Sequence, residues 1–463
     1  MTSVNLPDPP QLAGKRVTII GLGRSAVAAA RLVRQLGATP FISEKEDTPK
    51  MAPWKAACEK YQLPVETGGH TERAYDADLF VLSPGVPLNA PVARKAADSG
   101  IPITGELELA SRCCRAPLLA VTGTNGKTTT TVLLYHVLRH AGYVADLAGN
   151  NDRPLSEVVL DSVMPQVVVV EVSSYQLETT ATFHPVVAAA LNVTPDHLAR
   201  HGSMEAYAAT KSRIFARQQA GDTAVLNADD AWTDAMEPPG GVSIVRFSAR
   251  RELAEGAWFD GTSLRLRDRA LARREDLRIP GLHNVANALA VAAMADAFGV
   301  DLGGFAEALR VFPGVEHRIE WVAETDGITW YNDSKSTNPD SLRIALEAFD
   351  QPVILIAGGQ HKEGADYQSL KPLVARKVSA LIAIGDSGDY FTELYGDKVP
   401  HVRLRGVEEA IAHARNIAQR GAIVLFSPGC ASFDQYNNYE ERGRHFKDQV
   451  RLLAGLNCQE ILG

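Results

Sequence analysis

Cysteine is scarce in this chain and shows no pairing pattern: Cys58, Cys113, Cys114, Cys430 and Cys458 are the five in 463 residues. An odd count without Cys-x-x-Cys spacing gives no disulfide framework and fits a reducing compartment. Long apolar runs are missing too. Nothing approaches the ~20 residues of a membrane-spanning helix, and the polar, proline-rich start MTSVNLPDPPQLAGK does not read as a signal peptide, so the expected location is the cytoplasm with no membrane partner. Positive charge is in the minority: 47 Lys and Arg against 55 Asp and Glu leave a formal net charge of -8, and no block of like charge forms a tail. Nucleic acid is therefore not an expected partner, and small molecules are.

The length exceeds what one hydrophobic core serves, so two to four domains are expected. The most telling stretch is Thr122 to Thr130, TGTNGKTTT, directly after the apolar run Pro117 to Val121. A strand feeding a glycine-containing turn, then a lysine and a hydroxyl at a helix start, is the arrangement that holds nucleotide phosphates with Mg2+. ATP binding is the expectation. The usual phosphate loop has a glycine where Val121 stands; here Gly123 lies inside a shorter turn.

Three modules follow one another. The first opens with a strand at Arg16 to Ile20, the turn Gly21-Leu22-Gly23-Arg24-Ser25-Ala26 and a helix to Leu36. Strands at Thr39 to Ile42 and Leu79 to Leu82 end in Ser43-Glu44 and in Ser83-Pro84-Gly85-Val86-Pro87. Alternating strands and helices imply a parallel sheet. GxGxxA with an acid about twenty positions on resembles a dinucleotide fingerprint. On its own the pattern is weak, and a plain tight turn, or another nucleotide diphosphate at the same helix N-terminus, accounts for it more readily. The second module holds the phosphate loop, a strand at Gln166 to Val170 delivering Glu171, a strand at Val186 to Leu191 followed by Asn192 to His197, and a helix over Met204 to Gln219 carrying Lys211. A short strand at Thr223 to Leu226 and a hairpin-rich stretch lead to Pro280 and an alanine-rich helix ending near Phe298. An acid at a strand end beside a phosphate loop stands where a Mg2+ ligand is needed. A lone helix lysine or loop histidine is ordinarily a solvated group. The third module begins at the Phe312-Pro313-Gly314 turn and carries strands at Thr329 to Tyr331, Val353 to Ile356, Ala380 to Ile384 and Ile423 to Phe426. The expected fold is thus α/β with three domains. A Rossmann-like N-terminal domain spans 1–106, a P-loop ATPase-like central domain with a mostly parallel sheet spans 107–312, and a Rossmann-like C-terminal domain spans 313–463.

Taken in order, TGTNGKTTT, EVSSYQLE from Glu171, LNVTPDHL from Leu191, YAATKSRIF from Tyr207, GLHNVANALA from Gly281, HRIE from His317 and NDSKSTNP from Asn332 resemble the Mur ligase family across nearly the whole chain. GLGRSA, SPGVP at Ser83 and SPGCASFDQYNNYEERG from Ser427 are most similar to the member that adds D-glutamate to UDP-N-acetylmuramoyl-L-alanine in peptidoglycan synthesis. Those two molecules are the partners the resemblance implies, with ATP and two Mg2+ ions as cofactors, and the expected assembly is a monomer. Making an amide in water requires a carboxylate oxygen to become a leaving group. ATP's γ-phosphoryl moves onto it and the amine then displaces phosphate, so catalysis is mainly positioning and charge neutralisation.

The resemblance assigns roles residue by residue. Gly123, Thr124, Asn125, Gly126, Lys127, Thr128 and Thr129 would cradle the phosphates, and Thr128 with Glu171 would hold one Mg2+. His197 and Lys211 would serve the second ion, with CO2 carried on Lys211 as a carbamate that turns a cation into an anion. Asn287, Arg318 and Asp333 would contact ATP, and Lys335 would sit near the reacting phosphates. Sharing one nucleotide between two modules implies a hinge near Phe312 to Val315 that excludes water on closure. Thr337, Lys362, Ser432, Phe433 and Tyr439 would receive the amino acid, where a cation with hydroxyls suits a dicarboxylate. Gly23, Arg24, Ser25, Ser43, Glu44 and Gly85 would hold the uracil and pyrophosphate, with Asn150 at the lactyl-alanine end. Two departures stand out: Asn151-Asp152-Arg153 replaces the family's hydrophobic-Gly pair after Asn150, and Ser43-Glu44 replaces its Asp-hydroxyl pair. The competing readings are a Mur-type ligase for L-glutamate or another amino acid, and a non-catalytic nucleotide-binding or NAD-sensing module.

Overall fold

The computed structural model describes residues 10–150, 153–361 and 365–453. Its strands form three sheets. The first contains β1 (Arg16–Ile20), β2 (Thr39–Ser43), β3 (Val65–Glu66), β4 (Leu79–Leu82) and β5 (Ile103–Gly105), in the order β3-β2-β1-β4-β5. Every pairing in it is parallel. The chain runs outward in both directions from β1, so the turn after β1 lies at the point where strand order reverses, the place where such sheets bind ligands.

The second sheet contains β6 (Leu118–Thr122), β7 (Ala145–Gly149), β8 (Val167–Glu171), β9 (Val187–Ala190), β10 (Thr223–Asn227), β11 (Ser243–Ser248), β12 (Gly256–Phe259), β13 (Ser263–Leu266) and β14 (Arg269–Arg273). Its order is β14-β13-β12-β11-β10-β9-β6-β8-β7. The parallel part is fully buried at β6, β8 and β9, as continuous Val, Ala and Leu runs require when helices cover both faces. The hairpin-rich stretch becomes the antiparallel edge β12-β13-β14. One contiguous core joins the first two modules, running from Leu12 and Val17 through Leu118 and Val170 to Met236. The chain forms two compact units, residues up to 274 with 286–308, and 275–285 with the residues from 309 on, and the first of them carries the first two of the three sheets.

The second unit holds β15 (Glu320–Thr325), β16 (Ile328–Asn332), β17 (Val353–Gly358), β18 (Val378–Ile384), β19 (His401–Arg403) and β20 (Ile423–Phe426), in the order β15-β16-β20-β17-β18-β19. All pairs are parallel except β15 with β16. Apolar clusters cover the sheet, one around Leu342, Leu355 and Phe391, the other around Trp330, Phe426 and Phe446.

One helix differs from its expected extent. The segment expected to be helical from Met204 to Gln219 is an α-helix only over Met204–Ser212, followed by a tight turn at Arg213–Phe215. The hydroxyls of Thr210 and Ser212 bond back to the carbonyls of Ala206 and Ala209, and such back-bonding competes with the helical ladder. The turn then drives Ile214 and Phe215 into the core. Among the described residues, Cys58, Cys113, Cys114 and Cys430 are free and buried, and no helix is long and apolar enough to cross a membrane.

Candidate active site

β6 ends at Thr122, and the loop Gly123 to Gly126 delivers the chain into the helix Lys127–His140. Gly126 has φ +84, and a Cβ there would lie 2.5 Å from Oδ1 of Asn287. Glycine is required on both counts, and Asn287, on the helix Leu282–Phe298, is thereby packed against the loop. Asn192, just past β9, fastens the loop's other side. Its Oδ1 accepts from Asn125 N at 2.8 Å, its Nδ2 donates to Asn125 O at 3.1 Å, and its carbonyl accepts from Thr124 N at 2.9 Å. Lys127 curls back over the turn, donating to the carbonyls of Gly123 at 2.9 Å and Thr124 at 3.0 Å. Thr128 is partly buried and Thr129 buried in the first turn of the helix.

β8 lies beside β6 with Glu171 opposite Val121, so Glu171 ends the strand next to the one that feeds the loop. Oε1 of Glu171 accepts from Asn150 Nδ2 at 2.9 Å, and Asn150 is itself fixed at the end of β7 by its N–H to Glu171 O. Oε2 is buried and accepts no hydrogen bond among the described residues. A buried carboxylate oxygen left open is costly unless a cation takes it. That is the fit expected for Mg2+, which needs only one or two protein ligands beside substrate phosphates. No cluster of three or more His, Cys, Asp or Glu that could hold a metal ion exists among the described residues.

On the far side of β9, His197 adopts φ 53 and caps the short helix Leu198–His201. Its imidazole is half exposed and lies 3.3 Å from Asp196 Oδ2. Lys211 is only 1% exposed, and its Nζ donates to Gly123 O at 2.9 Å. Burial, and next the charge of Lys127, pull its pKa down to about 7, against the opposing pull of Asp196. Lys211 therefore joins the phosphate loop although it lies on a distant helix. Lys211 and Asn287 thus meet the loop, at Gly123 and Gly126, and Asn150 meets Glu171 on the adjacent strand, while His197 is half exposed.

The first sheet gathers its expected residues at one strand-end edge. Gly23 begins the helix Arg24–Gln35, and Ser25 is in its first turn. Glu44 accepts from Leu22 N at 2.8 Å and from Glu46 N at 3.0 Å, so both carboxylate oxygens hold the chain's own backbone. Ser43 is fully buried between Glu66 Oε1 at 2.6 Å and His70 Nδ1 at 2.8 Å. Arg24 makes a two-pronged pair with Glu157, at 2.9 and 2.8 Å. Gly85 is exposed in the turn after β4. After Asn150, Asn151 and Asp152 lie outside the described residues, while Arg153 is paired to Asp146 and Asp161.

In the second unit, register pairs Asn332 with Phe426, so the next residues meet: Ser427 Oγ donates to Asp333 Oδ2 at 2.7 Å and Ile319 N to Oδ1 at 3.1 Å. Asp333 is buried, and that burial lifts its pKa to about 7. Arg318 and Lys335 are exposed beside it, the Lys335 ammonium 5.8 Å from the Tyr439 ring. Thr337 is partly exposed, Ser432 buried and Phe433 68% exposed. Lys362 lies outside the described residues. The residue that organises this cluster is Arg442, which the sequence reading passed over. Its guanidinium donates to Ser334 Oγ and O, Cys430 O and Ala431 O at 2.8 to 3.1 Å, tying the β16 and β20 loops together. Asn192, which braces the phosphate loop, carries no signal for that role in the sequence either. A polar residue that braces backbone shows no spacing pattern of its own.

Family models match along the chain. The "Mur ligase MurD-like, N-terminal domain" matches residues 15–105, the "Mur ligase middle domain" 121–295 and the "Mur ligase, glutamate ligase domain" 317–430. A protein of Pelotomaculum thermopropionicum named UDP-N-acetylmuramoylalanine--D-glutamate ligase is 43% identical over 457 residues, covering 95% of this chain and 98% of that one. One of the same name from Chlorobium chlorochromatii is 42% identical, covering 96% and 99%. Among solved structures, MurF from Acinetobacter baumannii superposes with TM-score 0.59 at 18% identity, covering 95% of this chain and 94% of that one. The UDP-N-acetylmuramate-alanine ligase MurC of Thermotoga maritima gives 0.56 at 22%, covering 95% and 99%. These two likenesses concern the fold. With three family models in register and near-full-length relatives above 40% identity, this chain belongs to the Mur ligase family and is an ATP-dependent ligase.

Proposed function

We propose that this ligase joins the amine of D-glutamate to the free carboxylate of UDP-N-acetylmuramoyl-L-alanine, in the cytoplasmic synthesis of peptidoglycan precursors. The observation that carries the reading is the near-full-length likeness to ligases of that name. The open, buried Oε2 of Glu171 beside a phosphate loop supports it from the chemistry.

The substrate carboxylate attacks ATP's γ-phosphorus, ADP leaves, and the amine of glutamate attacks the acyl carbon with loss of phosphate and a proton. Lys127 and the amides of Gly123 to Thr129 neutralise the β- and γ-phosphate oxygens as charge shifts between them. Thr128 and Glu171 would hold Mg2+, which screens the phosphate charge when bound. Asn150 orients Glu171 by occupying its other oxygen. His197 and Lys211, the latter as its carbamate, would hold a second ion, and a buried lysine with a lowered pKa is suited to capture CO2. Asn287, Arg318 and Asp333 hold ATP, and Lys335 stands by the transferring group. Thr337, Lys362, Ser432, Phe433 and Tyr439 select the amino acid. Gly23, Arg24, Ser25, Ser43, Glu44 and Gly85 receive the nucleotide sugar, with Ser43 and Glu44 shaping the loop rather than reaching outward. The domains run over 1–106, 107–312 and 313–463, and the working form is a monomer.

The test is isotopic. Acceptor labelled with heavy oxygen in its terminal carboxylate should transfer label to the released phosphate during turnover. Unlabelled phosphate would rule out the acyl phosphate.

A further inference from the structure

His197 and Lys211 are fourteen positions apart in sequence, yet a continuous line of rings connects them in the structure. The His197 ring lies 5.1 Å from that of Tyr175, Tyr175 lies 5.9 Å from His201, and His201 lies 4.9 Å from Tyr207. The Lys211 ammonium sits 4.4 Å over the Tyr207 ring. The line touches the phosphate loop as well, since Tyr207 OH is 3.3 Å from Thr124 Oγ1.

Its ends and its middle differ. The His197 side chain is 47% exposed, whereas that of His201 is 3% exposed and Tyr207 and Lys211 are 1% exposed. The middle is braced from outside: Arg200 lies 4.2 Å over Tyr175 and grips Glu178 at 3.0 and 2.6 Å, and His201 Nε2 meets Ser174 Oγ at 3.0 Å. An exposed imidazole on a left-handed residue has few contacts to hold its rotamer. A ring tilted against it at 5.1 Å, itself 5.9 Å from a second, buried ring, supplies them.

We infer that His201 is a positioning residue, the central rung of a ring ladder that keeps His197 and Lys211 in register across the mouth of the phosphate loop. The inference rests on the proposed roles of His197 and Lys211. It adds a residue that touches neither ATP nor the acceptor and acts only through Tyr175 and Tyr207. Catalysis that depends on position is sensitive to displacements of about 1 Å, so losing the rung should reduce turnover more than it reduces nucleotide affinity.

Two substitutions separate the ring from the hydrogen bond. His201→Phe keeps the ring and loses the bond to Ser174; His201→Gln keeps a polar partner for Ser174 and loses the ring. His201→Phe should keep kcat within about twofold of wild type, while His201→Gln should lower it about tenfold with KM for ATP unchanged. A second readout needs no turnover. In protein carrying carbon-13 histidine, the His197 Cε1–H resonance should bear the ring-current shift of Tyr175, identified by its loss in Tyr175→Leu. It should hold in His201→Phe and move toward the Tyr175→Leu position in His201→Gln. A His197 resonance unmoved in His201→Gln, or equal loss in both variants, overturns the ladder. A moved resonance with unchanged kcat keeps the ladder and instead overturns the proposed role of His197.

Discussion

Lys127 and Lys211 donate to one acceptor, the carbonyl oxygen of Gly123, each from 2.9 Å. One lysine belongs to the phosphate loop and the other to a helix more than eighty residues on, yet the second is the more deeply buried. Two ammonium groups on a single oxygen repel, so one of them is favoured in its neutral form. Burial together with the neighbouring charge selects Lys211.

From this pairing it follows that Lys211→Ala should lose most activity, about a hundredfold or more, and that high bicarbonate or a small carboxylic acid should restore part of it by supplying the missing anion. Lys211→Arg should stay inactive, because a guanidinium forms no carbamate. Turnover near wild type in Lys211→Ala, followed by ADP release, would refute the carbamate role.

Glu171 depends on the strand beside it. Gly149 has φ +107, and a Cβ there would lie 2.1 Å from the carbonyl oxygen of Glu171. Gly149→Ala should therefore cost about 2 kcal/mol or more in stability and displace Asn150, which holds Oε1. Glu171→Gln should fold normally and raise the Mg2+ concentration needed for half-maximal rate by about tenfold. Thermal melting for the first and a Mg2+ titration of rate for the second are the measurements. An unchanged Mg2+ requirement in Glu171→Gln would contradict its place in the metal site.

Much of this was legible in advance. The phosphate loop, Glu171 and the parallel sheets show themselves because each rests on a local pattern: a glycine turn after an apolar run, an acid at a strand end, strands alternating with helices. The helix boundary at Ser212 was missed because hydroxyls bonding back to carbonyls leave the composition helix-like. The shared core of the first two modules was also out of reach, since Leu12 and Met236 join one apolar cluster only through the fold. Arg442 carries no local pattern: its partners Ser334, Cys430 and Ala431 lie in two separate loops, the first of them 108 positions away.

That buried arginine makes a prediction of its own. Arg442→Met removes the donors to Ser334 O and Cys430 O and one of the two to Ala431 O, and should destabilise the C-terminal unit by about 3 kcal/mol. Arg442→Lys should recover little, because one ammonium cannot span the same acceptors. Denaturant melts of the full chain, followed by Trp321 and Trp330 fluorescence, check both.

Asp333 sets a pH dependence. Its folded pKa of about 7 lies above the ~3.9 of an unfolded aspartate, so the folded protein binds the extra proton between those values. Its stabilising contribution is fully present below about pH 4 and is lost as pH rises through about 7. Asp333→Asn, which titrates nowhere, should lack this slope, and its stability relative to wild type should improve between pH 5 and pH 8. Melting temperatures at the two pH values measure it; a parallel pH response in both proteins would contradict the assignment.

The identity of the amino acid is the claim on which the rest converges. Purified protein given ATP, Mg2+ and UDP-N-acetylmuramoyl-L-alanine should release ADP when D-glutamate is added, with L-glutamate, L-lysine and meso-diaminopimelate giving little above background. ADP release with a diamino acid alone, or with none of the four, would contradict the account.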